Sequence, residues 1–182
     1  MKKVLIVVDM QNDFVYGILG SLKAQDAAKR IEDKLNTLSD DDIVIFTRDT
    51  HKGNYFETLE GEKLPVSHCL AGTGGWEIID ALKQNKHYTD RPKVDKNTFG
   101  CVYLPNTLYN CFGRSAFDES ADIELEICGV CTDICVVSNA LLLRAHFPNM
   151  KITVLKDLCA GTSPEAHEAA LTVMKSCQIE VI

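Results

Sequence analysis

Ile123-Glu124-Leu125-Glu126-Ile127-Cys128-Gly129-Val130 runs without a break into Cys131-Thr132-Asp133-Ile134-Cys135-Val136. The first half is short, apolar and rich in β-branched residues, which is how a strand buried on both faces reads. The second half opens a helical pattern, because Ile134, Val137, Leu141, Leu142 and Ala145 recur at helical spacing. A buried strand feeding directly into a helix is the repeating unit of a parallel α/β sheet.

Working outward, four further runs read as buried strands: Val4–Val8, Ile43–Phe46, Ile152–Leu155 and Ile179–Ile182, with a weaker one near Lys86–Thr89. Between them, Ala24, Ala27, Ala28, Ile31, Leu35 and Leu38 share one helical face. Ser163-Pro164 supplies a cap and a first-turn proline for a last helix that buries Ala166, Ala169, Ala170, Val173 and Met174. The pattern predicts an α/β fold with a mainly parallel sheet of about six strands and helices on both faces. The chain of 182 residues suits one such domain. From about Asp49 to Phe117 the pattern is irregular and holds most of the glycines, as a functional insert does.

A net charge of −7 leaves no basic face for nucleic acid or a membrane surface. No apolar run reaches spanning length, and the run before Asp9 is too short and lacks the cleavage site of a secretory signal. The eight cysteines have no tight regular spacing and read as reduced core thiols, so a cytoplasmic location is expected.

Ligands of open parallel sheets bind beyond the carboxyl ends of the strands. Asp9 and Asp49 follow two of those strands, and the cysteine-bearing turn follows a third. With Thr132 as N-cap, Cys135 lies in the first helical turn, where the dipole favours a thiolate and free N–H groups suit an oxyanion. A single Asp at a strand end is more often a turn or cap residue, and a single cysteine more often a core thiol. Their convergence on one rim raises the functional reading.

Three stretches in this order, Val8-Asp9-Met10-Gln11-Asn12-Asp13-Phe14, Lys96-Asn97-Thr98-Phe99 and Gly129-Val130-Cys131-Thr132-Asp133-Ile134-Cys135-Val136, resemble the isochorismatase-like cysteine hydrolases, and within them the nicotinamidase branch. The resemblance implies a single isochorismatase-like, Rossmann-like domain over residues 1–182 with three α/β/α layers. It implies a triad of Asp9, Lys96 and Cys135, with a cis peptide at Val130–Cys131 beside the oxyanion site. It further implies a divalent metal, zinc first with iron or manganese as alternatives, on Asp49, His51, His68 and a carboxylate between them. Glu57, Glu60 and Glu62 are the candidates, with Glu60 favoured. Where many nicotinamidases carry an aromatic residue, three positions before the last histidine, this chain has Pro65. Ring stacking then falls to Phe14, Phe99 or Trp76. The implied partner is a small amide, and the implied assembly a homo-oligomer.

The activity so implied is hydrolysis of nicotinamide through a thioester. Another carbamoyl or ureido amidase of the same superfamily is the alternative. Isochorismatase proper typically lacks the nucleophilic cysteine, and a non-catalytic binding protein would not need Asp9, Lys96 and Cys135 together. His87, His146 and His167 have no partner pattern and read as surface or core residues.

Overall fold

The computed structural model describes residues 2–89, 91–114 and 123–182. Six strands form one all-parallel sheet: β1 Lys2–Val8, β2 Ile43–Asp49, β3 Lys93–Lys96, β4 Ile123–Val130, β5 Lys151–Ala160 and β6 Glu180–Val181. Their order is β3-β2-β1-β4-β5-β6. Val4 to Val8 are all fully buried. Because successive strand residues point to opposite faces, both faces of the sheet must be covered there. The cover is helical: α1 Asn12–Val15, α2 Leu22–Thr37, α3 Leu59–Lys63, α4 Asp80–Lys83, α5 Leu104–Phe112, α6 Val137–His146 and α7 Pro164–Ser176.

The helix boundaries follow their caps. Ser21 accepts from Ala24 N at 3.0 Å and opens α2, which buries Ala24, Ala27, Ala28, Ile31 and Leu35. Ser163 accepts from Ala166 N at 3.1 Å, with Pro164 at the first position of α7. No helix among the described residues is long and apolar enough to cross a membrane. All eight cysteines are free thiols.

Three expectations change. Helix α7 buries Ala170, Leu171 and Met174, while Ala169 and Val173 face solvent and Ala166 is half-buried, because the helix turns Leu171 and not Val173 to the core. Residues Lys86–Thr89 form a turn, not a strand. Asn85 Oδ1 accepts from His87 N there, and the Tyr88 ring packs edge-on against Phe46. The strand beside β2 is instead Lys93–Lys96, a polar four-residue edge that pairs Phe46 with Lys93 and Asp49 with Lys96. The N-cap before Cys135 is Cys131, not Thr132. Thr132 begins a π-helical turn, Thr132–Val136, that precedes α6, and its hydroxyl contacts His167 Nδ1 at 2.8 Å. A π turn at this point fits the tendency of such turns to mark functional sites. The expected end of the irregular insert, at Phe117, lies outside the described residues.

The strand order reverses between β1 and β4, so the crevice beyond their carboxyl ends is the position where this topology places a site. Register brings the two ends level, since Val8 pairs with Thr47 on one side and Gly129 on the other. Gly129 makes this approach possible. Its φ is +117°, and a Cβ there would fall 2.1 Å from Val8 O. Gly129→Ala should therefore destabilise the protein by about 3 kcal/mol or more, combining a forbidden backbone region with overpacking. A urea-unfolding midpoint equal to that of wild type would contradict this account of the switch point.

Candidate active site

Asp9 follows β1 and is completely buried, with φ at +51°. Its backbone N–H donates to Thr47 O and Thr47 Oγ1, both at 3.2 Å. The Thr47 hydroxyl donates back to Asp9 Oδ1 at 2.7 Å. The other carboxylate oxygen lies 2.6 Å from Lys96 Nζ. Lys96 closes β3, and the same ammonium is 3.4 Å from Cys135 Sγ and 3.5 Å from Asp49 Oδ1. Three side chains drawn from three separate sequence segments thus meet, each buried from solvent. The Val130–Cys131 peptide is cis, at the position the resemblance implied.

Burial governs the electrostatics. It raises the Asp9 carboxyl above the usual range, against the pull of Lys96, and the nearby Asp49 charge adds to the rise. It also pushes the Cys135 thiol well up, and the charge of Asp9 reinforces this while Lys96 opposes it. Burial disfavours the Lys96 ammonium, but Asp9, Cys135 and Asp49 outweigh that and hold it charged. The three groups are therefore electrostatically linked, with the Lys96 ammonium between the Asp9 carboxylate and the Cys135 sulfur. The neighbouring Cys131 is pushed up to about 12, chiefly by burial and then by Asp133, and is a poor nucleophile at neutral pH.

Beyond β2, Asp49, His51, Glu60 and His68 each bring one ligand atom to within 4.8 Å of the others. Glu60, in the first turn of α3, is the carboxylate that reaches the group. From Asp49 Oδ2 to the Nε2 atoms of His51 and His68 the distances are 2.8 and 3.4 Å. Both imidazoles stand 3.7 Å from Glu60 Oε1. Ligands about 2.05 Å from a tetrahedral ion are about 3.3 Å apart, so these separations bracket that geometry. Although so close to Asp49, buried His51 Nε2 makes no well-directed hydrogen bond. His68 Nδ1 is 2.8 Å from the Val66 carbonyl, which can only accept. A proton on Nδ1 therefore serves that carbonyl, and the ring turns Nε2 toward the cluster. Burial would raise the Asp49 carboxyl, but the two imidazoles and Lys96 outweigh it and hold it well below the usual range. Nitrogen and oxygen donors in this arrangement fit a divalent metal.

The candidates for ring contact separate. Phe14 is half-buried and tilts against His68, with ring centroids 5.4 Å apart. Phe99 is exposed at 46%. The Trp76 ring is covered by the Arg48 guanidinium at 3.7 Å, and its N–H donates to Thr50. Pro65 is exposed. Of the remaining histidines, His146 bonds Tyr109 and His87 is buried.

Several contributors carried no assigned role at the sequence level. Tyr55 is buried edge-on against both His51 and His68, and its hydroxyl donates to Leu64 O at 2.8 Å. Gln11 is fully buried and behaves like an inserted peptide unit: its Oε1 accepts from Asp49 N, and its Nε2 donates to the carbonyls of Asp49 and Trp76. Asp13 accepts from Cys69 N at 2.8 Å, and a Cβ on Gly75 would collide with its carboxylate. Gln11 and Asp13 sit inside the quoted opening motif, which was the available signal. Nothing in the sequence pointed to Tyr55.

A Rossmann-like sheet with a buried carboxylate, lysine and cysteine at its switch point and a nitrogen–oxygen cluster beside them defines an α/β enzyme scaffold. The family profile of the isochorismatase domain matches residues 3–182, and the chain belongs to that family. It is 28% identical to the nicotinamidase of Schizosaccharomyces pombe, over 98% of this chain and 91% of that protein. It is also 28% identical to the nicotinamidase/pyrazinamidase of Mycobacterium tuberculosis, over 99% of this chain and 98% of that protein. The crystal structure of a nicotinamidase/pyrazinamidase from Bacillus subtilis superposes with a TM-score of 0.78 at 27% identity, covering 100% of this chain and 99% of that one.

The cluster generates a test that does not depend on turnover. A divalent metal at about 100 times its Kd should raise unfolding stability by about 2.7 kcal/mol. His51→Ala and His68→Ala should each remove that gain and lose metal in elemental analysis. A thermal-unfolding curve unmoved by zinc or manganese in the wild-type protein would contradict a metal role.

Proposed function

We propose that this protein is a cysteine-dependent amidohydrolase that converts nicotinamide and water to nicotinate and ammonia. The observation that carries the reading is the Lys96 ammonium held 2.6 Å from Asp9 and 3.4 Å from Cys135 within one buried group. Asp9 takes the proton of the Cys135 thiol, and the thiolate forms a bond to the amide carbonyl carbon. The carbonyl electron pair moves to oxygen, where backbone N–H groups of Cys131 and Cys135 receive the negative charge. Collapse breaks the C–N bond, and the proton on Asp9 goes to the departing ammonia. Asp9 then accepts a proton from water as it attacks the thioester, releasing carboxylate and restoring the thiol. Lys96 keeps Asp9 oriented and offsets its charge throughout.

Asp49, His51, Glu60 and His68 would hold zinc, or alternatively iron or manganese, and such an ion would supply an electrophilic position for a ring nitrogen. Phe14 and Phe99 flank the substrate in this reading, and Phe14 already packs on His68. The relatives at 28% identity that act on nicotinamide support the substrate choice. One observation favours a second reading, an aliphatic carbamoyl or ureido amide: Pro65 is exposed and offers no aromatic face. Self-association into a homo-oligomer is part of the same proposal, and sedimentation showing a monomer at every accessible concentration would contradict it.

Ammonia release from a panel of amides separates the readings, with a pyridine carboxamide expected to lead. Cys135→Ala should lower turnover by at least ~10⁴-fold with the fold retained. Near-wild-type turnover in that variant would overturn the mechanism, and a lead for ureido substrates would overturn the substrate assignment.

A further inference from the structure

Lys96 ends an edge strand of four residues that, among the described residues, pairs with β2 alone, so the sheet holds it from one side. Something outside the sheet must fix its other side if Nζ is to stay 3.4 Å from Cys135 Sγ. The contact that does so comes from Asn139, a fully buried polar side chain one turn into α6 from Cys135. Its Oδ1 accepts from Cys101 N at 2.8 Å, while its Nδ2 donates to Phe99 O at 3.2 Å and to Cys135 O at 2.8 Å.

A carboxamide has two N–H donors and one carbonyl, and all three are used here. The network also fixes which way the amide points. Turned over, it would set N–H against the Cys101 N–H and oxygen against two carbonyls. The segment it grips is the one that leaves Lys96. Thr98 stiffens that segment by donating to Gly100 O at 2.7 Å, and a Cβ on Gly100 would come within 3.3 Å of Ser138 O on α6. The lysine exit therefore lies directly on the helix of the nucleophile.

We propose that Asn139 is a positioning residue that clamps the exit of the Lys96 strand to the backbone of Cys135 and so sets the distance between ammonium and sulfur. It touches neither the reacting atoms nor the metal cluster in this role, and acts through Lys96 and Phe99. The proposal rests on the reading of Lys96 and Cys135 as catalytic partners, and it adds the device that keeps them together.

Asn139→Asp tests it. The variant keeps the shape and the acceptor for Cys101 N, but it turns a carboxylate oxygen toward the carbonyls of Phe99 and Cys135. With the fold intact, kcat on nicotinamide should fall on the order of 100-fold, the effect of a misplacement of about 1 Å. Alkylation of Cys135 by iodoacetamide, followed by mass spectrometry, should slow on the order of tenfold, as for the loss of one charged hydrogen bond. Buried Cys128 serves as the reference within the same chain. A merely structural role for Asn139 loosens the protein and speeds alkylation of Cys128 and Cys135 together, so slowing confined to Cys135 supports positioning, while joint acceleration in a folded variant overturns it.

If Asn139→Asp does not fold, Asn139→Ser carries the test, since a serine hydroxyl can reach back to the carbonyl four residues earlier but not to the loop. The same slowing of Cys135 is expected, and alkylation no slower than wild type overturns the inference. Wild-type protein that fails to hydrolyse nicotinamide would remove the substrate assignment. The alkylation comparison would still decide the role of Asn139.

Discussion

A buried ammonium cannot stand alone. Lys96 is closed off from solvent, and the cost of stripping water from its charge is offset by Asp9 at 2.6 Å and Asp49 at 3.5 Å. That requirement ties together three strands that the chain visits far apart in sequence. β1 delivers one carboxylate, β2 the other, and β3 the cation between them. It also joins the cysteine to the nitrogen–oxygen cluster, since one ammonium is shared by Asp9, beside the thiol, and Asp49, a member of the cluster. Any rearrangement that moves Lys96 therefore disturbs both halves of the site together.

The insert after β2 is held by the opening motif. Gln11 grips Asp49 and Trp76, Asn12 donates to Gly74 O, and Asp13 accepts from Cys69 N. Backbone bonds from Asn12 to Glu77, from Asp13 to Gly75 and from Ile79 to Met10 complete the seam. The loop that carries His68 is thus stitched to the same few residues that present Asp9, so an irregular segment acquires the rigidity that ligand geometry needs.

How much of this the sequence revealed depended on how strongly each residue's surroundings marked it. β1 and β4 were legible because strands covered on both faces must be apolar along their length, and the turn after β4 was legible because its residues resemble a family. β3 was missed because an edge strand needs no apolar run, and Lys93-Val94-Asp95-Lys96 has none. The choice of Glu60 among three carboxylates rested on the resemblance, and the fold of α3 brings it to the histidines. Thr132 looked like a cap by residue type, yet the π turn moved the cap to Cys131 and left the threonine hydroxyl for His167. Tyr55 could not be read at all, because an aromatic side chain in a three-residue 3₁₀ turn has no periodicity to betray its burial.

The polar character of β3 has a consequence outside chemistry. An open sheet presents unpaired backbone groups along its borders, and such borders invite pairing with another chain. Here the two border strands are four and two residues long, and the first carries Lys93, Asp95 and Lys96, with Arg48 on the adjacent strand bound to Asp95 at 2.7 Å. Brevity and charge deny a foreign strand a template. The four residues that place an ammonium beside the thiol thus also guard the molecule against edge-to-edge aggregation, and mutations that make this strand longer or greasier would threaten solubility and chemistry at once.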